Sequence, residues 1–144
     1  MPTSTEHTLT VNASLDSLRD VRDFLTTAGT QLDIDQEVIA DLHLAADEAV
    51  TNIIMHGYAG RPGRIRVSMV RNDAEVVVRL SDDAPLYDPS IQQSPELDSS
   101  PLERASAGGF GVELIRRMVD ELHYQVADQR NQLTLVKKVP NQSI

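Results

Sequence analysis

The sequence contains no cysteine and no tryptophan. Without cysteine the chain can form neither a disulfide nor a thiolate metal site, and this fits a reducing compartment. Aromatic residues make up only 3% of its 144 residues, so leucine, isoleucine, valine and alanine must build most of the core. That length predicts one globular domain, residues 1–144, of a size that can bury a proper core.

Positive charge is also scarce. The 13 lysines and arginines face 22 aspartates and glutamates, so the formal net charge is −9. This excess opposes binding to a phosphate backbone, and we predict no direct contact with nucleic acid. An anionic nucleotide would need a metal ion and backbone donors more than lysines. No apolar run approaches the roughly 20 residues that span a bilayer, and the N-terminal residues lack the pattern of a signal peptide. We therefore predict a cytoplasmic protein without a membrane partner.

The order of predicted elements is strand, two helices, hairpin, a long segment without period, helix and hairpin. This order predicts an α/β two-layer sandwich, with a mixed, mostly antiparallel sheet covered on one face by three helices. Gly29 is expected to stop the first helix, and an Asp33–Gln36 capping box to start the second. The predicted bounds are a strand at 7–13, helices from Ser14 to Gly29 and from Asp33 to Gly57, strands at 65–69 and 75–82, a helix opening at Gly108, and strands at 124–127 and 133–139.

Residues 47–58 are the most informative stretch of the chain. They place Glu48 and Asn52 four residues apart within a helical apolar pattern, so both side chains lie on one face. A carboxylate can take a proton from an attacking hydroxyl, and an amide oxygen can ligate Mg²⁺. Small and apolar neighbours such as Ala45 and Ala49 place the pair at the rim of a packed face. The stretch is therefore a candidate catalytic site.

Two further segments could bind a nucleotide. Asp82 ends an apolar strand and could accept a hydrogen bond from an exocyclic amine, although an Asx-turn explains an acid there at least as well. Gly108, Gly109, Phe110 and Gly111 open a helix whose free N–H groups could bind phosphate. A flexible hinge explains this glycine cluster almost as well, since it matches neither a P-loop nor a dinucleotide fingerprint.

The sequence carries only a weak signal for a hydrolytic metal site and for a catalytic nucleophile. His43, Asp47 and Glu48 have a spacing that a hydrolytic metal could use, but His56 is too far along the helix to complete the ligand set. His43 reads better as partly exposed helix surface. Nucleophilic catalysis by cysteine is excluded, and no Gly-x-Ser-x-Gly elbow exists.

Taken together, four ordered motifs resemble the Bergerat-fold ATP-binding domain of gyrase-type ATPases and histidine kinases, and in particular the bacterial anti-sigma factor serine/threonine kinase family. The resemblance covers nearly the whole chain. The motifs are an N-box at 44–58 (LAADEAVTNIIMHGY), a first glycine box at 80–89 (LSDDAPLYDP), a lid and second glycine box at 97–104 (LDSSPLER) and 108–121 (GGFGVELIRRMVDE), and a closing strand at 131–138 (NQLTLVKK).

The resemblance implies ATP and Mg²⁺ as cofactors and assigns the site residues. Glu48 would be the general base, and Asn52 would ligate Mg²⁺ at the nucleotide phosphates. Asp82 would bind the adenine amine, with support from Thr134 on the last strand. Phosphate would lie on the glycine segment Gly108–Gly111, under a lid formed by residues 85–107, from which Arg104 could reach it.

One position departs from the family pattern. The first glycine box normally reads Asp-x-Gly, and this chain has Ala84 at the glycine. A methyl group there could weaken ATP binding, or demand a shifted turn if the backbone φ is positive. Ala84 is therefore kept among the expected nucleotide-binding positions as the one that departs from the family pattern.

Two functions follow from the resemblance. In the first, the protein phosphorylates a serine or threonine of an anti-sigma factor antagonist of the STAS type, and regulates transcription by holding or freeing a sigma factor through partner switching. In the second, it is a non-catalytic protein-binding switch that responds to nucleotide or does without it. Glu48 favours the first function and Ala84 the second. The family likeness is also compatible with a homodimer.

Overall fold

A computed structural model describes residues 6–88 and 109–139. Five strands form one sheet in the order β1-β2-β3-β5-β4. Each described pairing is antiparallel, so this sheet is not mixed as the sequence had suggested. Within these ranges, no helix has the length and apolarity needed to cross a membrane. The elements are β1 (His7–Asn12), α1 (Ser17–Gln31), α2 (Gln36–Asn52), a π-helical turn (Ile53–Gly57), β2 (Arg64–Arg71), β3 (Glu75–Asp82), α3 (Gly109–Met118), β4 (Glu121–Ala127) and β5 (Arg130–Lys138).

The core lies between one face of the sheet and the three helices. Alternate residues of β2 and β3 are completely buried there, while the apolar stripes of α1 and α2 pack against them. The core is built mainly from aliphatic residues, as the shortage of aromatics requires. The predicted two-layer sandwich, with its element order and its three helices, is confirmed.

The first two helices differ at their ends from the predictions. Helix α1 continues past Gly29 to Gln31. A Cβ atom at Gly29 would lie 2.8 Å from the Cδ1 atom of Ile39 in α2. The glycine therefore allows α1 and α2 to pack closely instead of ending the helix. The predicted capping box is wrong, since Asp33 has a φ of 62° and Asp35 is the N-cap of α2.

The last hairpin begins earlier than its apolar pattern indicated. Strand β4 starts at Glu121 and β5 at Arg130, and the turn between them consists of Asp128 and Gln129, with φ values of 55° and 65°. Two residues with positive φ give the tight turn typical of antiparallel hairpins. Asn131 therefore belongs to β5, where it pairs with Asp82 at the end of β3.

Candidate functional site

A cavity of about 320 Å³ lies between α2, α3 and the β3-β5-β4 edge of the sheet. Its walls are largely apolar, with Ile53 from the helical side, Val112 and Ile115 from α3, and Leu133 from β5. Asn52 and Asp82 also line the cavity. A concave apolar site with a few polar groups is the usual form of a small-molecule pocket.

The π-helical turn shapes the helical wall of this cavity. Directly after Asn52 the backbone widens, and the N–H of Tyr58 donates to the carbonyl of Ile53 at 2.8 Å, a five-residue step. One extra residue per turn changes the direction of the side chains that follow, and such turns often occur at functional sites. Ile53, His56 and Gly57 all line the cavity.

Asp82 is a buried carboxylate, only 6% exposed, at the end of β3. Its Oδ1 atom accepts hydrogen bonds of 2.9 Å from the N–H of Ala84 and from Nδ2 of Asn131. Burial raises the pKa of Asp82 above its usual value, while these two hydrogen bonds act in the opposite direction. The Asx-turn weighed as an alternative is thus present, yet it uses only one oxygen. Within the described residues, Oδ2 makes no hydrogen bond, so it can accept one from a ligand.

Ala84, which stands at the expected glycine, does not strain the turn. Its φ is not among the positive values of the described chain, so no glycine is required there. The residue is 4% exposed and does not line the cavity. Its methyl group lies 3.2 Å from the point that a Cβ atom at Gly57 would occupy. The methyl group therefore packs against Gly57, which has room for it, and does not line the cavity.

Tyr58 is a structural part of the site that the sequence analysis missed. Its ring lies over Gly63, where a Cβ atom would be 2.1 Å from a ring carbon. Its hydroxyl donates to the carbonyl of Arg64 at 2.7 Å and accepts from the N–H of Asp83 at 2.8 Å. The tyrosine therefore connects the end of the helical wall to β2 and to the residue after Asp82. The signal available in the sequence was an aromatic residue directly after the His-Gly pair.

Replacing Tyr58 by Phe is expected to lower the free energy of unfolding by about 1–3 kcal/mol, because the Asp83 N–H and the Arg64 carbonyl both lose a partner in a partly buried place. Urea denaturation monitored by circular dichroism measures the change. Tyr87→Phe is the matched control, since no hydrogen bond of the Tyr87 hydroxyl is found within the described residues. Equal stability of the two variants would contradict this account of Tyr58.

Thr134 does not support Asp82, and that expectation is corrected. Thr134 pairs with Arg79, whereas Asp82 pairs with Asn131. Side chains alternate along a strand, so Thr134 points to the opposite face of the sheet from Asn131 and Leu133, which line the cavity. Asn131, 7% exposed, is the residue of the last strand that contacts the carboxylate.

Glu48 and Asn52 occupy one face of α2, as their spacing predicted. Asn52 lines the cavity, while Glu48, half-buried, lies one turn before it and outside the lining. Their proposed roles concern a nucleotide and an acceptor and stay predictions.

The metal alternative finds no support. Asp47 forms a salt bridge of 3.0 Å with Arg22, and the His43 ring lies 2.9 Å from the Thr26 hydroxyl. Both side chains therefore form contacts between α2 and α1. Over residues 6–88 and 109–139, no group of three acidic or histidine side chains could hold a metal ion.

The glycine segment is described only in part. Gly109, Phe110 and Gly111 form the first turn of α3, so their backbone N–H groups lie at a helix N-terminus, where anions bind. Gly108, Arg104 and the predicted lid from residue 89 onward lie outside the described residues.

Residues 11–137 match the family described as the histidine kinase-like ATPase domain, and the chain belongs to that family. Among curated relatives it is similar to the serine/threonine-protein kinase BtrW of Bordetella bronchiseptica, with 39% identity over 65% of this chain and 66% of that one. It is also similar to the anti-sigma F factor of Clostridium novyi, with 30% identity over 76% of each chain. The predicted kinship with anti-sigma factor kinases is confirmed. The predicted enzyme class, a serine/threonine-protein kinase, agrees with the name of the Bordetella protein.

A solved structure shows the same fold. The crystal structure of the RsbU and RsbW domains of Rv1364c from Mycobacterium tuberculosis aligns with a TM-score of 0.66 and 21% identity. The alignment covers 97% of this chain and 34% of that chain.

Proposed function

We propose that this protein is an ATP-dependent serine/threonine kinase that phosphorylates a STAS-type anti-sigma factor antagonist and sequesters a sigma factor. The observation that carries the proposal is the cavity. The Asp82 carboxylate and the Asn52 amide line this apolar pocket. Glu48 lies outside the lining, one helical turn before Asn52. The family membership and the names of the relatives support the choice of chemistry.

The cavity suits an adenine nucleotide. A flat apolar base can pack between Ile53, Val112 and Leu133, while Oδ2 of Asp82 accepts its amino group. Asn52 offers one amide oxygen to Mg²⁺. Mg²⁺ usually keeps several waters and the substrate phosphates as ligands, so one protein oxygen is sufficient. When bound, the ion would neutralise charge on the phosphates during transfer.

In this proposal Glu48 acts on the acceptor. A serine or threonine hydroxyl would lose its proton to the Glu48 carboxylate as its oxygen attacks the γ-phosphorus, and the bond to the β-phosphate oxygen would break to release ADP. Asn52 would hold the phosphate end of the nucleotide one helical turn away. In this proposal the acceptor and the nucleotide phosphates lie at successive turns of α2.

Partner switching is the proposed cellular consequence. The unphosphorylated antagonist and a sigma factor would compete for this kinase, and phosphorylation would release the antagonist so that the sigma factor is held. The proposal places this exchange in the cytoplasm and is compatible with a homodimer.

The direct test is transfer of labelled phosphate. The protein is incubated with γ-labelled ATP, Mg²⁺ and a STAS-type antagonist protein, and the label should appear on one serine or threonine of the antagonist. An antagonist with that residue changed to alanine is the control. Tight binding of the antagonist without any labelling would overturn the kinase proposal and favour a protein-binding switch.

Replacing Asn52 by Ala should weaken Mg-ATP binding by about tenfold or more, the value of one contact to a charged group, and should reduce phosphotransfer with it. Calorimetry with ATP and Mg²⁺, and with ATP and a chelator, measures the effect. The loss should appear only when Mg²⁺ is present. Thr51→Ala, one position away and outside the cavity lining, is the control. An equal loss without Mg²⁺ would contradict the ligand role of Asn52.

A further inference from the structure

The carboxamide of Asn131 is fully used by the protein. Its Nδ2 atom donates to Oδ1 of Asp82 at 2.9 Å and lies within 3.1 and 3.2 Å of the carbonyls of Ala84 and Pro85. Its Oδ1 atom accepts from the N–H of Tyr87 at 3.0 Å and from the hydroxyl of Tyr124. The amide thus has no hydrogen left for a ligand, although the residue lines the cavity. Its influence on a ligand must act through the groups that it holds.

The groups held by Asn131 form the part of the site that would face adenine in the proposed function. One is the carboxylate of Asp82, and the others belong to the backbone of residues 84–87 directly after it. Oδ1 of Asp82 already receives two donors, from Asn131 and Ala84. The carboxylate therefore cannot rotate freely, and Oδ2 alone is left for a ligand.

We propose that Asn131 is a positioning residue that sets the base specificity of the site, so that it accepts a purine with a single amino donor, adenine, and rejects guanine. This inference rests on the proposed function. Guanine presents two adjacent donors, its ring N–H and its amino group, which suit both oxygens of a free carboxylate in a bidentate contact. With Oδ1 of Asp82 occupied, that contact is not available. Adenine needs only the one oxygen that remains.

The test compares ATP and GTP on the full chain. Dissociation constants for both nucleotides, each with Mg²⁺, are measured by calorimetry for the unsubstituted protein and for Asn131→Leu. This substitution removes one of the two donors to Oδ1 of Asp82, so that this oxygen can accept a hydrogen bond from a ligand while it keeps the one from Ala84. ATP binding should weaken by about tenfold, and GTP binding should stay unchanged or improve, so that the preference for ATP falls by about tenfold or more. A merely structural role would weaken both nucleotides equally and leave their ratio unchanged.

Two further variants keep the test decisive. Tyr124→Phe removes only the hydroxyl that donates to Asn131, so the fold is kept and the ratio should shift in the same direction by a smaller factor. Asn131→Asp replaces the donor by a second carboxylate oxygen, and Gln132→Glu adds the same charge at the next residue, on the opposite face of the sheet. The first should lower ATP affinity and the second should not.

The outcomes separate this inference from the function beneath it. An unchanged ATP-to-GTP ratio in both Asn131→Leu and Tyr124→Phe, in a protein that binds ATP, would overturn the role of Asn131 alone. If the unsubstituted protein bound neither nucleotide, the proposed function would fall and the inference with it. Circular dichroism spectra of each variant show whether the fold is retained, and the Tyr124→Phe result decides if Asn131→Leu does not fold.

Discussion

Replacing Glu48 by Gln is expected to slow phosphate transfer to the antagonist by about 10²–10⁴-fold, the usual share of general base catalysis. Glutamine keeps the size of the side chain and can still hydrogen-bond to the hydroxyl, but it cannot take the proton. Nucleotide affinity should change little, because Glu48 lies outside the lining of the cavity that would hold the base. Initial rates with labelled ATP, together with calorimetric dissociation constants, separate the two effects.

The adjacent residue supplies the control for this substitution. Asp47→Asn makes the same chemical change one position earlier, where the carboxylate pairs with Arg22 of α1 at 3.0 Å. A partly exposed salt bridge usually contributes no more than about 1 kcal/mol, so the variant should fold and transfer phosphate at close to the normal rate. A Glu48→Gln variant as active as Asp47→Asn would show that phosphate transfer does not use the Glu48 carboxylate as its general base.

The helical part of the site could be predicted because it is local in sequence. The 3.6-residue period of α2 fixes the relation of Glu48 to Asn52 without any knowledge of the rest of the fold. The position of Asp82 at a strand end is equally local. The 3.6-residue period could not show the π-helical turn after Asn52, because that turn departs from the period.

The strand part of the site could not be predicted, because it depends on register. The apolar pattern placed the start of β5 at Leu133, and the structure begins it at Arg130, beyond a two-residue turn. Which residue of β5 faces Asp82 depends on that pairing, and a change of one residue moves a side chain to the other face of the sheet. The family resemblance indicated Thr134, whereas the register makes Asn131 the residue of β5 that pairs with Asp82.

Ala84 shows the limit of a motif comparison. The family pattern indicated that a methyl group at this position could strain the turn. The structure shows a backbone that any residue can adopt, with the methyl group against Gly57 and outside the cavity lining. Because the two positions share one space, Gly57→Ala would bring two methyl groups to about the 3.2 Å separation given by the structure. The Ala84 side chain gives no steric reason to exclude a nucleotide.

Replacing Asp82 by Asn is expected to weaken ATP binding by about 10–100-fold and to make the free protein more stable at neutral pH. The Oδ1 atom of asparagine can keep the hydrogen bonds from Ala84 and Asn131, so an NH₂ group would take the place of Oδ2. A donor would then face the amino group of adenine, and the contact of a charged acceptor would be lost. Calorimetric titration with ATP measures the loss.

The stability change follows from the same burial. Because burial raises the pKa of Asp82 in the folded protein, the fold favours the protonated acid. The contribution of Asp82 to stability is fully present below the pKa of the unfolded chain and is lost as the pH rises through the higher pKa of the folded state. The asparagine side chain of the Asp82→Asn variant does not titrate, so the advantage of the variant should grow from acidic to neutral pH and then level off. Urea denaturation of both proteins between about pH 4 and pH 7.5 measures it.

The neighbouring acid is the control for both effects. Asp83 is exposed and pairs with Arg130 at 2.9 Å, so Asp83→Asn should neither raise stability at neutral pH nor weaken ATP binding by more than a small factor. A site selected for stability alone would not keep a charged, buried oxygen without a hydrogen-bond partner in the described chain. If Asp82→Asn bound ATP as tightly as the unsubstituted protein, that oxygen would have no ligand to serve, and the adenine site would have to lie elsewhere.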